Sequence, residues 1–362
     1  MNRKSPISAK NNTKAKLAIL IGVFCLLYII FSFRPLGEEL HLTPDWTIAI
    51  DRDGAAPDKE GNLVPFKLGQ AIGYFSDDGK MARCIPYSFN AAISPSYYAV
   101  YNADNSRTQV RTPDGNVAVT LDAPGFPYFS EDRIFVFFPN GSSVARFDSS
   151  GGKLWEYEDY SPITAFSSSA GGSVIGFADG QLVSILADGR IDQQYYPGGS
   201  ELSAIYGAAI SDDGSLIACI SGLRTQRFVV SKRASGEHPK VIFHEYLPAD
   251  SNTLRMVRFN ADADMVFYNY NGGLGVADLK EARSAHISLP GTVVQIEESK
   301  EFGLMFVLSR DKGEYTVTVL EPFDQVLATT SFKADNSFLL VQGEHVFIGR
   351  DNKISRLTVS KR

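Results

Sequence analysis

Beyond residue 45 the chain alternates short apolar runs with polar corners rich in Gly, Asp, Asn and Pro. No long window carries the 3.6-residue period of an amphipathic helix, so the pattern predicts β-strands joined by hairpins. The run SVIGF–ADG–QLVSIL–ADG–RIDQQYY is typical, with turns at Asp179-Gly180 and Asp188-Gly189. Asn140-Gly141 is a third such signal, because glycine enters φ > 0 at no steric cost.

The first 44 residues differ. Arg3, Lys4, Lys10, Lys14 and Lys16 precede an uncharged run from Leu17 to Phe33, and Arg34 closes it. A run of about 17 residues is the lower limit for one membrane-spanning helix. The charge bias places a basic tail (1–16) in the cytoplasm, an anchor (17–33, from Leu17 to Phe33) in the bilayer, and a connector (34–44) beyond it. The expected topology is a single-pass protein of a bacterial inner membrane, with residues 45–362 forming a periplasmic domain. Cleavage near Gly37 is the alternative, although "FSFRPLGEEL" lacks a small-x-small site.

A repeat runs through the β-rich part. Apolar–corner–apolar units stand at Ile72 (IGYFSDDGKMARC), Pro127 (PYFSEDRIFVFF), Thr164, Ala208 (AAISDDGSLIACI), Val257, Val294 and Phe338. Their spacing averages about 44 residues, close to the length of a four-stranded propeller blade. The last unit is one strand short, and "DWTIAID" or "NLVPFKL" near the N-terminus supplies the missing strand and closes the ring. The expected fold is all-β: a seven-bladed β-propeller preceded by one transmembrane helix. Six or eight blades are the alternatives, because the stretch from Ile72 to Phe126 is irregular.

These units resemble the broad WD-repeat and quinoprotein-like propeller superfamily. "FDSSGGKLWEYE", Phe147 to Glu158, is similar to the repeat of pyrroloquinoline-quinone propellers, and the resemblance implies that Trp155 packs between neighbouring blades. "ILADGRIDQQYY" keeps the Asp-Gly turn without the Trp, and no Trp-Asp dipeptide occurs. The resemblance also implies a cofactor held by a stacking Trp, a calcium ligand set and adjacent cysteines. Only Trp46 and Trp155 are present and Cys25, Cys84 and Cys219 are dispersed, so no cofactor is expected.

Candidate chemistry is sparse. Asp212 and Asp213 sit in a corner that other units fill with Ser-Glu-Asp or Asn-Ala-Asp, which marks a turn device rather than an acid/base pair. "DRDGAAPDKEG", Asp51 to Gly61, places its glycine too early for an EF-hand and reads as a loop. The five histidines are scattered and no Cys/His cluster exists, so no metal site is expected. The formal charge of −6 gives no nucleic-acid footprint. The most basic stretch holds Arg224, Arg227, Lys232, Arg233 and Lys240, a candidate partner contact. Arg255 and Arg258 are the main polar residues expected on innermost strands.

The expected function is therefore non-catalytic: a membrane-anchored extracytoplasmic scaffold for envelope or membrane proteins, touching the lipid bilayer through one helix. A small-ligand binder or enzyme on the propeller axis is the alternative, and a sensor that signals through the helix is a weaker third.

Overall fold

In the computed structural model, residues 9–32, 40–50, 62–102, 106–197, 204–223, 225–233, 239–247 and 253–361 are described. Two units are distinguished: a first comprising the N-terminal residues up to His41 with the last three, and a second spanning Leu42–Val359.

The second unit is an eight-bladed β-propeller. Its first seven sheets follow chain order, each an antiparallel meander. Blade 1 has three described strands, Leu63–Leu68, Ala71–Ser76 and Met81–Pro86. Blades 2 to 7 have four each and begin at Asn90, Phe126, Ile163, Ile205, Val257 and Thr292. Blade 8 joins Ser337–Gln342, His345–Arg350 and Lys353–Lys361 to Leu40–Ala49, so both ends of the chain share one sheet. Of the two stretches proposed to close the ring, the one containing Asp45 to Ala49 does so.

The expected count of seven is corrected to eight. The unit overlooked is blade 2, Asn90–Leu121, within the irregular stretch. Its strands are only four or five residues long, and its corner Ser-Pro-Ser-Tyr has neither an acidic residue nor a glycine, whereas each aligned corner has at least one of the two. The hairpin at Ile72 joins the second and third strands of blade 1, whereas the other aligned corners join first and second strands.

The expected membrane span is also corrected. Among the described residues no helix is long and apolar enough to cross a membrane. The helix runs Ala9–Ser32, and its first turns carry Lys10, Lys14 and Lys16. Its apolar part from Leu17 rises about 24 Å against the roughly 30 Å of a hydrocarbon core. The single-pass topology with a periplasmic propeller falls with the span, and so does the role of Leu17 and Phe33 as anchor ends. Phe33 and the loop at 51–61 lie outside the described residues.

The core lies between blades. Second and third strands are the most buried, as in Gly172–Phe177, Leu182–Leu186 and Gly273–Asp278. Their apolar side chains interleave with those of the next blade: Val174 and Leu182 of blade 4 pack on Ile205, Ile217, Cys219 and Val229 of blade 5. Burial pushes the Cys219 thiol up to about 12, which makes it a small core hydrophobe.

Candidate functional site

The corners between first and second strands share one face of the ring, where hydrogen bonds link several neighbouring blades. The hydroxyl of Ser94 donates to the Glu131 carbonyl (2.7 Å), that of Ser169 to Ser211 (2.8 Å) and that of Ser299 to Gly343 (3.0 Å). Asp213 accepts from the Ser211 hydroxyl (2.6 Å) and the Ser215 amide (2.9 Å). Those bonds hold its carboxyl below the usual carboxylate range. Asp212 offers its carbonyl to the Gly171 amide (2.9 Å). The acidic pair builds a turn and a seam between blades.

Charged groups gather on this face at blades 5 to 7. Asp212, Arg258, Asn260 and Glu298 line a cavity of about 250 Å³. Arg258 Nη1 donates to the Ile296 carbonyl (2.5 Å) and Glu297 Oε2 (3.2 Å). Glu298 Oε2 accepts from the Ala261 amide (2.8 Å). Burial raises the carboxyls of Glu297 and Glu298, against the opposing pull of Arg258 on each. These groups are therefore engaged with one another and with the backbone. Arg255 is buried and its Nη2 donates to Gln226 (3.1 Å). Among the described residues no group of three or more His, Cys, Asp or Glu could hold a metal ion.

On the opposite face, blades 3 and 4 enclose an apolar groove of about 320 Å³ between Phe126, Phe137, Phe138, Gly141, Ile163 and Phe166. Phe166 meets Phe137 edge-on at 5.1 Å and Tyr128 at 5.7 Å, the T-shaped geometry that aromatic quadrupoles favour. Phe126 remains 40% exposed. By its alternation alone the aromatic run YFSEDRIFVFFPN reads as blade core. The missed signal is Phe166 on the next blade, which turns one wall into a groove.

The basic stretch is dispersed. Arg224 lies outside the described residues. Arg227 opens a strand that Lys232 closes, roughly 17 Å away at strand rise. Lys232 stands opposite Lys240 across the hairpin, and both are exposed. Arg233 pairs with Asp192 of blade 4 at 2.7 Å, with the side chains only 29% and 15% exposed. Arg233 thus ties two blades together, and only Lys232 and Lys240 remain as a basic surface pair.

Trp155, on the outermost strand of blade 3, packs with Phe135 and with Ile175, Phe177, Val183 and Ile185 of blade 4. A Cβ at Gly189 of blade 4 would lie 2.7 Å from Trp155. Trp46 repeats the device at ring closure, where a Cβ at Gly79 would meet its ring at 2.9 Å. Its Nε1 donates to the Asp77 carbonyl (3.2 Å).

A model of a family described as beta-propeller protein matches residues 7–361. The chain belongs to that family. An uncharacterized protein of Treponema pallidum (strain Nichols) is 29% identical over 366 residues, covering 98% of this chain and 97% of the relative. The crystal structure of BamB from Moraxella catarrhalis is similar at a TM-score of 0.60 and 16% identity, over 88% of this chain and 100% of that one. The computationally designed Ika8 protein is similar at 0.61 and 16%, over 89% and 98%. At such identities the likeness to solved structures speaks to fold alone.

Proposed function

We propose that this propeller is a non-catalytic protein-interaction scaffold. The observation that carries the reading is the aromatic groove between blades 3 and 4, which leaves Phe126 exposed on a rigid sheet framework. A concave, preorganised apolar surface binds at low ordering cost. The chemistry of the other face supports the same reading, since Arg258, Glu297 and Glu298 are engaged with one another and with backbone groups.

The test is crosslinking in intact cells, purification through a C-terminal tag, and mass spectrometry with an absorption spectrum of the eluate. A stoichiometric protein crosslinked to propeller loops is the expected result. An eluate free of protein partners that carries a bound chromophore or small molecule overturns the scaffold and moves the search to the propeller axis.

A further inference from the structure

We propose that the groove between blades 3 and 4 receives a partner polypeptide segment in which a large apolar side chain is flanked by lysine or arginine. This inference rests on the scaffold reading and names the partner's chemistry.

The floor of the groove selects for an apolar anchor. Four phenylalanines, Ile163 and Ala165 line it, and the one hydroxyl, Thr164 Oγ1, is engaged with the Gly176 carbonyl (3.2 Å). A polar side chain entering would lose its water and find no side-chain partner, a cost of about 1–3 kcal/mol per group. The volume of about 320 Å³ stands at the small end of ligand pockets. It suits one or two side chains better than an extended cofactor.

The rim selects for positive flanks. Glu158 ends the outermost strand of blade 3 and accepts from the Asn140 side chain (3.1 Å) beside Gly141, and Asp159 follows it, accepting from the Tyr160 and Ser161 amides (2.6 and 3.2 Å). Asp179 lies in the neighbouring turn of blade 4. The Tyr157 hydroxyl donates to Asp159 (3.4 Å), and burial first, then the charges of Asp159 and Asp179, push its phenol up to about 12. Among the described residues Glu158, Asp159 and Asp179 form no ion pair, their contacts being with the Asn140 side chain, the Tyr157 hydroxyl and backbone amides. Like-charged flanks would be repelled, whereas basic flanks gain both encounter rate and register.

The test uses the full chain and three fluorescein-labelled hexapeptides: Lys-Arg-Phe-Ile-Arg-Lys, Glu-Asp-Phe-Ile-Asp-Glu and Lys-Arg-Ser-Ser-Arg-Lys. Binding is followed by fluorescence anisotropy at about 0.02 and 0.5 M salt, which differ several-fold in screening length. The first peptide is expected to bind at least about tenfold tighter than either other, with an advantage over the acidic peptide that shrinks in high salt. Thr164→Phe, which fills the groove, is expected to weaken the first peptide by about tenfold or more, and Glu158→Lys by about threefold with a flatter salt dependence. Phe126→Ser, at a half-exposed position, provides a second groove variant should Thr164→Phe unfold. Equal binding of the three peptides, or unchanged binding to a folded groove variant, overturns the inference. If either occurs while crosslinking still yields a stoichiometric partner, the groove assignment fails and the scaffold stands. If crosslinking yields no protein partner, the scaffold itself fails.

Discussion

Replacing Trp155 by alanine tests whether blades are held together by interdigitated side chains of their outer strands. The indole is 8% exposed and lies against Phe135, Ile175, Phe177, Val183 and Ile185. A buried aromatic removes some 150–250 Å² from water, and Trp→Ala in a core costs about 3–5 kcal/mol. One term acts in the other direction: Nε1 is buried without a hydrogen-bond partner among the described residues. Removing an unsatisfied donor returns about 1 kcal/mol or more, so a net loss of about 2–4 kcal/mol is expected for Trp155→Ala. Trp155→Phe keeps most of the ring and deletes the orphan donor, and is expected to cost about 1 kcal/mol or less. Trp46→Phe should cost more than Trp155→Phe, because Trp46 Nε1 has a partner in the Asp77 carbonyl. Urea titration followed by far-UV circular dichroism measures all three. Hydrogen exchange in Gly172–Phe177 reports whether the loss is confined to the seam between blades 3 and 4. A Trp155→Ala midpoint equal to wild type, or a Trp155→Phe loss as large as that of Trp155→Ala, would refute the packing argument.

Two further outcomes follow from turn chemistry. Gly189 has φ +89 and its Cβ would press on Trp155, whereas Gly313 has φ +86 with nothing within 4 Å. Both alanine variants carry the backbone cost of about 1–2 kcal/mol, and only Gly189→Ala adds a clash, so its melting temperature should fall several degrees further; equal shifts would exclude the clash. The second outcome concerns acid. The Ser211 hydroxyl holds Asp213, the Ser150 hydroxyl holds Asp148, Lys280 holds Asp264 and Thr358 holds Asp45, each below the model-peptide value of 3.8. A carboxyl whose folded pKa is depressed stabilises the fold above its unfolded value and loses that contribution as pH falls through the folded one. Glu297 and Glu298, raised by burial, act with the opposite sign but are outnumbered. Thermal stability should therefore hold down to about pH 4 and fall below it, with Asp213→Asn showing a shallower fall; a protein that grows more stable between pH 4 and 2 would contradict this.

The propeller was legible because its signals are local. Asp-Gly and Asn-Gly turns mark hairpins through one residue's backbone freedom, and Asp213 identifies itself as a turn residue by recurring in equivalent corners. The blade count failed where local signal is thin: Tyr98–Tyr101 and Thr108–Arg111 are four-residue strands, and no glycine marks the sequence between them. The apolar N-terminal run was read by its length and its flanking charges, whereas the helix Ala9–Ser32 spends its first turns on lysines and asparagines. The basic stretch was judged by proximity in sequence, but strand geometry sends Arg227 to one edge of blade 5 and Lys232 to the other. Arg233 was drawn off by Asp192 from another blade, a partner 41 residues away in sequence. The groove was invisible for the same reason, since its two walls come from separate blades.

Exposed apolar side chains lie at both margins of the blades, with Leu154, Ile191, Val241 and Val326 on outermost strands and others on innermost ones. Middle strands are covered on both faces by neighbouring blades, and Phe135, Ile175 and Val276 are fully buried. An innermost strand has a hydrogen-bonded neighbour on one edge only, and its side chains lose cover toward the channel. Phe126, Tyr128 and Val294, all on such strands, are 40%, 42% and 37% exposed. The sequence answers that loss of cover differently around the ring. At blades 6 and 7 it places Arg258, Glu297 and Glu298, whose charges are met by each other and by backbone groups. At blades 3 and 4 it places Phe126, Tyr128 and Phe166, whose faces can be covered only by something apolar. Self-neutralised charges leave little binding energy to gain, whereas half-exposed aromatic rings in a fixed concave frame leave a great deal. Under the proposed scaffold reading the aromatic sector is therefore the one with binding energy to gain, and a partner there would bring an apolar group.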